Sequence, residues 1–372
     1  MAPDVAAGIE RLDDRAIAVD PGAIEGEFTK IWRATSGAAS DESSIRLRVL
    51  NFVAFAYEAA GANRFREVMR ALPQRYPCRG ILAVAAPGQR QLDASIAAGF
   101  WRSSGGARHI CSEEVQLVGG AAQEPELASA VLALLVPELP VVAWLMDAPD
   151  FGGRMSREIL ETADRAFFDT AGQVDTAAVF GHVLRAGAGR EVELCDFAWG
   201  RIATWRELVA QFFDGDEGLR QLSKIQSIEI DGGGARLSSE SLLLAGWLVS
   251  RLGLSLAYLA PSGGRIEATL YDGTRGVTLK VARGADGGAA PVREVRIRTG
   301  TALLSVGIHP ESGHMHVREQ REGGLSRRTV ASPRGDDASA IAAALDDRAD
   351  PTIYAEALGS ALALLAAPAP DA

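Results

Sequence analysis

The spacing of apolar and polar positions alternates between strand-like and helical stretches over the first half of the chain. Short apolar or alternating runs predict strands over residues 48–56, 78–85, 108–118, 141–146 and 165–170. Amphipathic stretches predict helices between most of these runs, including 59–72, which stops before Pro73, and 127–136, which stops before Pro137. Such repeated alternation of strands and helices is typical of a mainly parallel α/β sheet.

A long helix with an apolar stripe is predicted after a short strand at 191–194. Asp196 suits its N-cap, and apolar residues then recur at three- and four-residue steps until Gly215, which we expect to end it. A later helix, capped by Ser238 or Ser239, is apolar on nearly all sides over 242–252 and should lie centrally. Ala245 and Gly246 within it leave room for another backbone to approach.

The last third of the chain changes character. Over 254–330, short alternating runs separated by glycine-rich turns predict an antiparallel meander, and two helices follow at 336–345 and 351–365. The predicted fold class is therefore α/β, with α+β character in the C-terminal part. We expect an N-terminal α/β domain over 1–172 and a C-terminal domain with the meander over 173–372.

Composition narrows the classes of partner. A formal net charge of -10 and a sequence pI near 5.2 argue against nucleic acid, since phosphate binding needs clustered cations. The start MAPDVAAGIERLDD lacks a cationic segment followed by an apolar core, and the alanine-rich stretch at 353–368 is too short to cross a membrane. We expect a cytoplasmic protein with no membrane partner; self-association stays open.

Recognisable catalytic motifs are missing from the sequence. It contains no glycine-rich dinucleotide fingerprint, no GxxxxGK[ST] phosphate loop and no GxSxG nucleophile elbow. Cys78, Cys111 and Cys195 are far apart and have no CxxC spacing, so we expect reduced thiols rather than disulfides or a zinc site. These observations predict a protein that is not an enzyme and binds no cofactor.

Two polar clusters offer weak alternatives. His314 and His316 could face one side of a strand near His309, but no acidic or cysteine ligand has a convincing spacing, so we expect a solvated hairpin and no metal. Glu113 and Glu114 point to opposite faces of a predicted strand and cannot act as an acid–base pair. We interpret them as neighbouring surface charges.

The predicted helix after Asp196 is the best candidate for a partner-binding site. Tryptophan and arginine are enriched where partner proteins anchor, which favours Trp199, Arg201, Trp205 and Arg206. Asp196, at the start of the helix, is the fifth residue of this candidate partner-binding set. Trp199 and Trp205 also fall on the apolar stripe and would suit the core, so Arg201 and Arg206 carry more of the hypothesis.

Four segments of the chain resemble the OpcA family of glucose-6-phosphate dehydrogenase assembly proteins. They are YPCRGILAVA at 76–85, ALLVPELPVVAWLMD at 133–147, DFAWGRIATWREL at 196–208 and LLLAGWLVSRLG at 242–253, and the terminal PTIYAEALGSAL also looks similar. The third segment is the most specific, because its D-x-x-W-x-R-x-x-x-W-R arrangement goes beyond helix periodicity. The His-bearing stretch at 303–322 and the glycine-rich turns depart from the family pattern.

The resemblance implies a cytoplasmic α/β protein that binds glucose-6-phosphate dehydrogenase and shifts it towards an active oligomer. It would thereby support the oxidative pentose phosphate pathway and the supply of NADPH. Cyanobacterial members resemble one another in redox tuning through cysteines, and none of the three cysteines here matches those positions. An alternative is a sensor or enzyme that binds a sugar phosphate in the α/β domain through arginines such as Arg79 or Arg201.

Overall fold

A computed structural model of the protein describes residues 10–11, 16–37, 45–46, 48–102, 108–147, 153–260, 264–284, 290–309, 311–331, 335–346 and 350–366. The chain divides into two compact units, and each unit consists of three chain segments. The first unit contains Met1–Asp169, Gly189–Cys195 and Gly335–Arg348; the second contains Thr170–Ala188, Asp196–Arg334 and Ala349–Ala372. The domain borders predicted from sequence, which treat each domain as one continuous segment, stay a prediction.

Strands and helices alternate along the described chain. The strands are β1 (Glu10–Arg11), β2 (Ile17–Val19), β3 (Ile45–Arg46), β4 (Leu50–Ala56), β5 (Cys78–Ala85), β6 (Asp93–Arg102), β7 (Arg108–Gly119), β8 (Val141–Leu145), β9 (Arg165–Phe168), β10 (Glu193–Asp196), β11 (Ile225–Asp231), β12 (Ser255–Ala260), β13 (Ile266–Tyr271), β14 (Gly276–Ala282), β15 (Glu294–Thr299), β16 (Leu303–Ile308), β17 (Met315–Arg321) and β18 (Gly324–Val330). The helices are α1 (Ile24–Gly37), α2 (Gly61–Ala71), α3 (Glu124–Leu134), α4 (Arg154–Leu160), α5 (Thr176–Gly187), α6 (Phe197–Arg201), α7 (Ala203–Phe212), α8 (Gly215–Leu222), α9 (Ser239–Arg251), α10 (Asp337–Asp346) and α11 (Pro351–Leu365). The predicted α/β class, with helices and two sheets, is confirmed.

The first sheet has β4 at its centre. Its main path runs β1-β6-β7-β5-β4-β8-β9-β10, and the pairs β7–β5, β5–β4, β4–β8 and β8–β9 are parallel. Every residue of β4, β5 and β8 is buried, as expected of parallel strands covered on both faces. With β6 set aside, the order from β7 to β10 is the 3-2-1-4-5-6 order of doubly wound folds, in which ligands bind where the strand order reverses, here between β4 and β8.

The second sheet has eight strands and differs from a simple meander. Its order is β12-β13-β14-β11-β15-β16-β17-β18, and all neighbours are antiparallel except β11 and β14, which are parallel. The predicted meander was therefore wrong at its centre, because β11 precedes α9 in sequence and inserts between two later strands. Side chains alternate along these strands, so that Ile228 and Leu279 are fully buried on one face while Glu229 and Lys280 lie on the other.

Two helices of the second unit approach each other at a glycine. An ideal Cβ on Gly246 of α9 would lie 2.0 Å from the carbonyl oxygen of Ala357 and 2.8 Å from the nitrogen of Ala361, both on α11. No side chain fits in that space. The close backbone approach predicted at Gly246 is confirmed, and α9 is buried on nearly all sides as expected.

Candidate functional site

The segment that carries the candidate residues forms two helices instead of one. Backbone angles of φ -94° and ψ 6° at Ile202 interrupt the helical geometry between α6 and α7. The apolar helix ends at Phe212, close to the predicted stop at Gly215, and a further helix, α8, begins at Gly215 itself. The prediction of one long helix was therefore wrong. The spacing of apolar residues did not reveal the break, because Ile202, where the break occurs, is buried like the other residues of the apolar stripe. Across the break, the guanidinium of Arg206 on α7 lies over the ring of Trp199 on α6.

Asp196 fixes the start of this segment. Its carboxylate accepts hydrogen bonds from the backbone N–H of Ala198 at 2.9 Å, which confirms the predicted N-cap. It also accepts hydrogen bonds from the backbone N–H and hydroxyl of Thr170, at 3.1 and 2.7 Å, and from the hydroxyl of Tyr354 at 3.1 Å. Because Asp196 is only 5% exposed, its contribution is to hold α6 against the segment after β9 and against α11.

Trp199 contacts both Arg206 and Tyr354 beside this cap. The guanidinium carbon of Arg206 lies 3.6 Å from the centre of the Trp199 ring, and the Trp199 and Tyr354 rings are 5.5 Å apart. Trp199 and Arg206 are each half-buried. A guanidinium stacked on an aromatic ring contributes about 0.5 to 2 kcal/mol and presents its edge in a defined orientation.

Arg201 is the most exposed of the candidates. Its Nε donates to the carboxylate of Glu240 at 2.8 Å, and the side chain of Arg201 is 42% exposed whereas that of Glu240 is 4% exposed. The buried carboxylate therefore orients an arginine that still reaches the surface of the second unit. Trp205 is 5% exposed and packs in the core, so it supports α7 from within. The partner-binding role of the five residues stays a prediction, in which Arg201, Trp199 and Arg206 are the contact candidates.

A buried ionic network in the first unit went unrecognised in the sequence. Glu113 and Glu114 are 1% and 8% exposed, so the interpretation as surface charges was wrong. Glu113 binds the guanidinium of Arg79 at 2.6 Å and that of Arg48 at 3.3 Å, and it accepts a hydrogen bond from Trp32 Nε1 at 3.1 Å. The sequence signal for this network was the arginine within an otherwise apolar strand, Arg79 in β5.

Arg79 is fully engaged by protein groups. It also binds the carboxylate of Glu25 and donates to the carbonyl of Leu134 at 2.9 Å. Burial lowers the pKa of Arg79, but the hydrogen bond to Glu25 and the charge of Glu113 outweigh burial and place that pKa above its ordinary value. With a side chain 3% exposed and its donors used by protein groups, Arg79 is not placed to hold a sugar phosphate, which leaves Arg201 as the arginine that the alternative hypothesis also named.

A carboxylate lies at the position where doubly wound folds bind phosphates. Asp147, just after β8, accepts a hydrogen bond from the backbone N–H of Tyr57, just after β4. Nearby, Arg64 donates to the carbonyl of Met146 at 3.1 Å and stacks on the ring of Trp144. A negative side chain therefore uses the backbone donor at the reversal of strand order, where a dinucleotide would otherwise place a phosphate.

Metal ligands and thiols are sparse in the described part of the chain. Among the described residues, no group of three His, Cys, Asp or Glu side chains is placed to hold a metal ion. His309 and His314 are exposed, and His316 is half-buried against the second sheet. Cys78 is buried and Cys195 half-buried, and neither forms a disulfide within the described part of the chain, while the side chain of Cys111 lies outside the described residues. No described helix combines the length and apolar character needed to cross a bilayer.

Comparison with known families gives two adjacent matches. The model described as "Glucose-6-phosphate dehydrogenase subunit N-terminal domain" matches residues 69–184, and the model of the C-terminal domain of the same subunit matches residues 192–358. The first match ends before the candidate segment begins, and the second match contains all five candidate residues. They therefore agree with the order of the four segments that carry the resemblance.

Individual relatives with sequence similarity to this chain are also OpcA proteins. An OxPP cycle protein OpcA of Synechococcus elongatus is 30% identical over 200 residues, which cover 53% of this chain and 43% of the relative. The OpcA protein of Nostoc punctiforme is 28% identical over 146 residues, or 38% of this chain and 30% of the relative. The matched region thus spans less than half the length of these relatives.

Among solved structures, a 3-ketoreductase, KijD10 from Actinomadura kijaniata, is similar in fold. The alignment has a TM-score of 0.50 and 12% sequence identity, and it covers 85% of this chain and 96% of the ketoreductase. At that identity the similarity describes the fold and nothing of the chemistry.

Proposed function

Because the chain belongs to the OpcA family of glucose-6-phosphate dehydrogenase assembly proteins, we propose that it binds this dehydrogenase and activates or assembles it without catalysing a reaction itself. The observation that carries the proposal is the match to two models, both described as domains of a glucose-6-phosphate dehydrogenase subunit. As the resemblance implies, we place the complex in the cytoplasm, where it would support NADPH supply through the oxidative pentose phosphate pathway.

Differential affinity is the mechanism that such a partner can use. A bound protein shifts an equilibrium only if it binds one conformation or oligomeric state of the dehydrogenase more tightly than the other. A coupling free energy of about 1 to 3 kcal/mol changes an affinity by roughly 5- to 150-fold. Activation by this chain is therefore expected to be saturable.

The surface around Arg201 is the proposed contact region. Arginine and tryptophan are enriched among residues that dominate binding energies, and Arg201 combines exposure with a fixed orientation from the buried Glu240. The neighbouring stack of Trp199 and Arg206 is ordered before any partner arrives. Ordered side chains lose less conformational entropy on binding, which favours them as anchors.

A titration with purified glucose-6-phosphate dehydrogenase tests both parts of the proposal. NADPH formation is followed at increasing concentrations of this chain, and complex formation is measured in parallel by size-exclusion chromatography with light scattering. We expect a saturable change in NADPH formation and a co-eluting complex. Unchanged kinetics together with separate elution at saturating concentrations would overturn the proposed function.

Variants separate the contact region from the rest of the surface. Arg201→Ala is expected to weaken the complex about tenfold or more, as truncation of an anchoring arginine costs about 2 kcal/mol. Arg220→Ala is the matched control, because Arg220 is an exposed arginine of the same unit that also pairs with a glutamate, Glu217. Equal affinities of the two variants would place the contact region elsewhere while leaving the partner role intact.

A further inference from the structure

A cleft lies on the polar face of the second sheet, within the second unit. It has a volume of about 460 Å³, and its ionisable lining consists of Asp231, Arg283, Arg293, Glu294, His316 and Arg318. Asp231, Glu294, Gly307 and His316 are cross-strand neighbours on β11, β15, β16 and β17. The floor of the cleft therefore consists of four residues that are paired directly across neighbouring strands. The shape of the cleft depends on the side chains at these four positions.

A glycine in the strand interior gives the cleft its depth. An ideal Cβ on Gly307 would lie 2.8 Å from Nε2 of His316, so a larger residue would push the imidazole away. Gly284 at the rim has no room for a side chain either, because a Cβ there would lie 2.7 Å from the backbone carbonyl oxygen of Gly232. Glycine inside a strand weakens the strand and often marks a site where a ligand approaches closely.

The charges of the cleft suit a ligand with both an anionic and a hydroxyl-bearing part. Arg296, beside the cleft, binds Asp231 at 2.7 Å and Glu294 at 2.8 Å, and Ser305 also donates to Glu294 at 2.6 Å. Arg296 and Ser305 thus hold the two carboxylates in place from the side, while Arg283, Arg293 and Arg318 add three positive charges to the lining. Guanidinium groups match phosphate oxygens, and carboxylates accept hydrogen bonds from hydroxyls.

His316 supplies a polar atom that has no protein partner. Its Nδ1 is buried and, among the described residues, makes no hydrogen bond. Burial lowers the pKa of His316, Arg318 and His309 lower it further, and Glu294 opposes them, so the neutral imidazole is favoured. A neutral imidazole donates one hydrogen bond and accepts another, which matches a hydroxyl group. Buried polar atoms are normally hydrogen-bonded, so a bound ligand is a suitable hydrogen-bond partner for this nitrogen.

We propose that this cleft binds a phosphorylated polyol such as a sugar phosphate, with the phosphate on the arginines and the hydroxyls on Asp231, Glu294 and His316. The volume lies within the range of about 300 to 1,000 Å³ that is typical of small-molecule sites. This site is separate from the residues proposed to contact the dehydrogenase. It makes the chain a binder of a small metabolite in its own right.

Calorimetry on the full chain alone tests the site, without any dehydrogenase present. Glucose 6-phosphate and 6-phosphogluconate serve as phosphorylated probes, and glucose and inorganic phosphate represent the two halves of the ligand. We expect saturable binding of at least one phosphorylated probe, no measurable binding of glucose, and binding of inorganic phosphate at least tenfold weaker. No saturable heat with either phosphorylated probe overturns the proposal, and so does inorganic phosphate that binds as tightly as they do.

A pair of arginine variants locates the binding. Arg318→Gln removes a charge that lines the cleft, and we expect it to weaken binding at least tenfold. Arg298→Gln is the matched control, because Arg298 is also an exposed arginine on the polar face of the same sheet but does not line the cleft. Thermal melts of both variants should match the parent chain, since both side chains are exposed. If the two variants weaken binding equally, the cleft is not the site.

Discussion

Arg79 and Glu113 form a buried ion pair across adjacent parallel strands, with Nη2 of the arginine 2.6 Å from Oε2 of the glutamate and side chains 3% and 1% exposed. Their register makes them direct neighbours on β5 and β7. Charges removed from water to this extent depend on each other, because either one alone would lie uncompensated in the interior. The pair is therefore a strong determinant of how these strands align.

Removing one member of this pair should be costly. We expect Glu113→Leu to lower the free energy of unfolding by about 3 to 5 kcal/mol, since it leaves Arg79 buried with less compensation. The double variant Arg79→Met with Glu113→Leu should lose less than the single variant. Urea denaturation measures both, with Lys30→Ala as control, because the exposed Lys30–Glu27 pair should contribute at most about 1 kcal/mol. A single variant as stable as this control would contradict the prediction.

The two glycines of the α9–α11 pair should respond oppositely to the same substitution. Gly246→Ala places a methyl group 2.0 Å from the carbonyl oxygen of Ala357, so the helices must separate and stability must fall by about 1 to 3 kcal/mol. Gly359→Ala on α11 meets no atom within 4 Å and should stabilise the helix by up to about 1 kcal/mol. Thermal unfolding of the two variants distinguishes packing from helix propensity. A stabilising Gly246→Ala would contradict the close approach.

The bond between Asp147 and Tyr57 predicts that the first unit does not bind a dinucleotide. The carboxylate of Asp147 uses the backbone N–H of Tyr57 and would repel a phosphate at the reversal of strand order. Titration of NADPH into the chain, followed by nicotinamide fluorescence, should show no saturable change, whereas an NADP-dependent dehydrogenase serves as positive control. Saturable binding of NADPH would require another site or a different arrangement of this one.

Asp272 should make stability depend on pH in acid. In the turn between β13 and β14, its carboxylate binds Nε of Arg275 at 2.7 Å and accepts hydrogen bonds from Thr274, and these contacts hold its pKa well below the ordinary value. A depressed carboxylate pKa contributes stability above the pKa of the unfolded chain, near 4, and that contribution is lost as the pH falls towards the folded pKa. Asp272→Asn should therefore be less stable than the parent at pH 6, and the difference should shrink below pH 4. Urea midpoints at both pH values measure it, and a constant difference would contradict this account.

Sequence periodicity predicted the interior strands well, and its failures have physical causes. β5 is continuous and apolar, and the structure has it over the predicted residues, Cys78–Ala85. β6 was missed because alanine, serine and glycine make up much of it and give no apolar run. The break at Ile202 was missed because a buried residue on the expected stripe carries the non-helical backbone angles. The spacing of hydrophobic residues cannot predict strands made of small residues or a local change in backbone angles.

The candidate site was predictable in type and only partly in detail. The spacing of Trp199, Arg201 and Arg206 indicated a surface for a partner, and the resemblance named that partner. The pairing of Arg201 with Glu240 joins residues that are distant in sequence, so no local pattern reveals it. The same holds for the polar cleft, whose floor combines β11 with strands that follow much later in the chain. The packing of α6 against α9 decides the first and the strand order decides the second, whereas sequence spacing reports only on neighbours.

The division of each unit among three chain segments has a consequence for biosynthesis. α10 packs on α2 of the first unit through Arg64 and Asp337, although these residues are separated by most of the polypeptide. The ribosome synthesises α2 long before α10. Until α10 is made, the side of α2 that α10 covers in the folded unit stays exposed. Nascent molecules are therefore most exposed to aggregation and proteolysis late in translation, and the final helices complete both units almost at once.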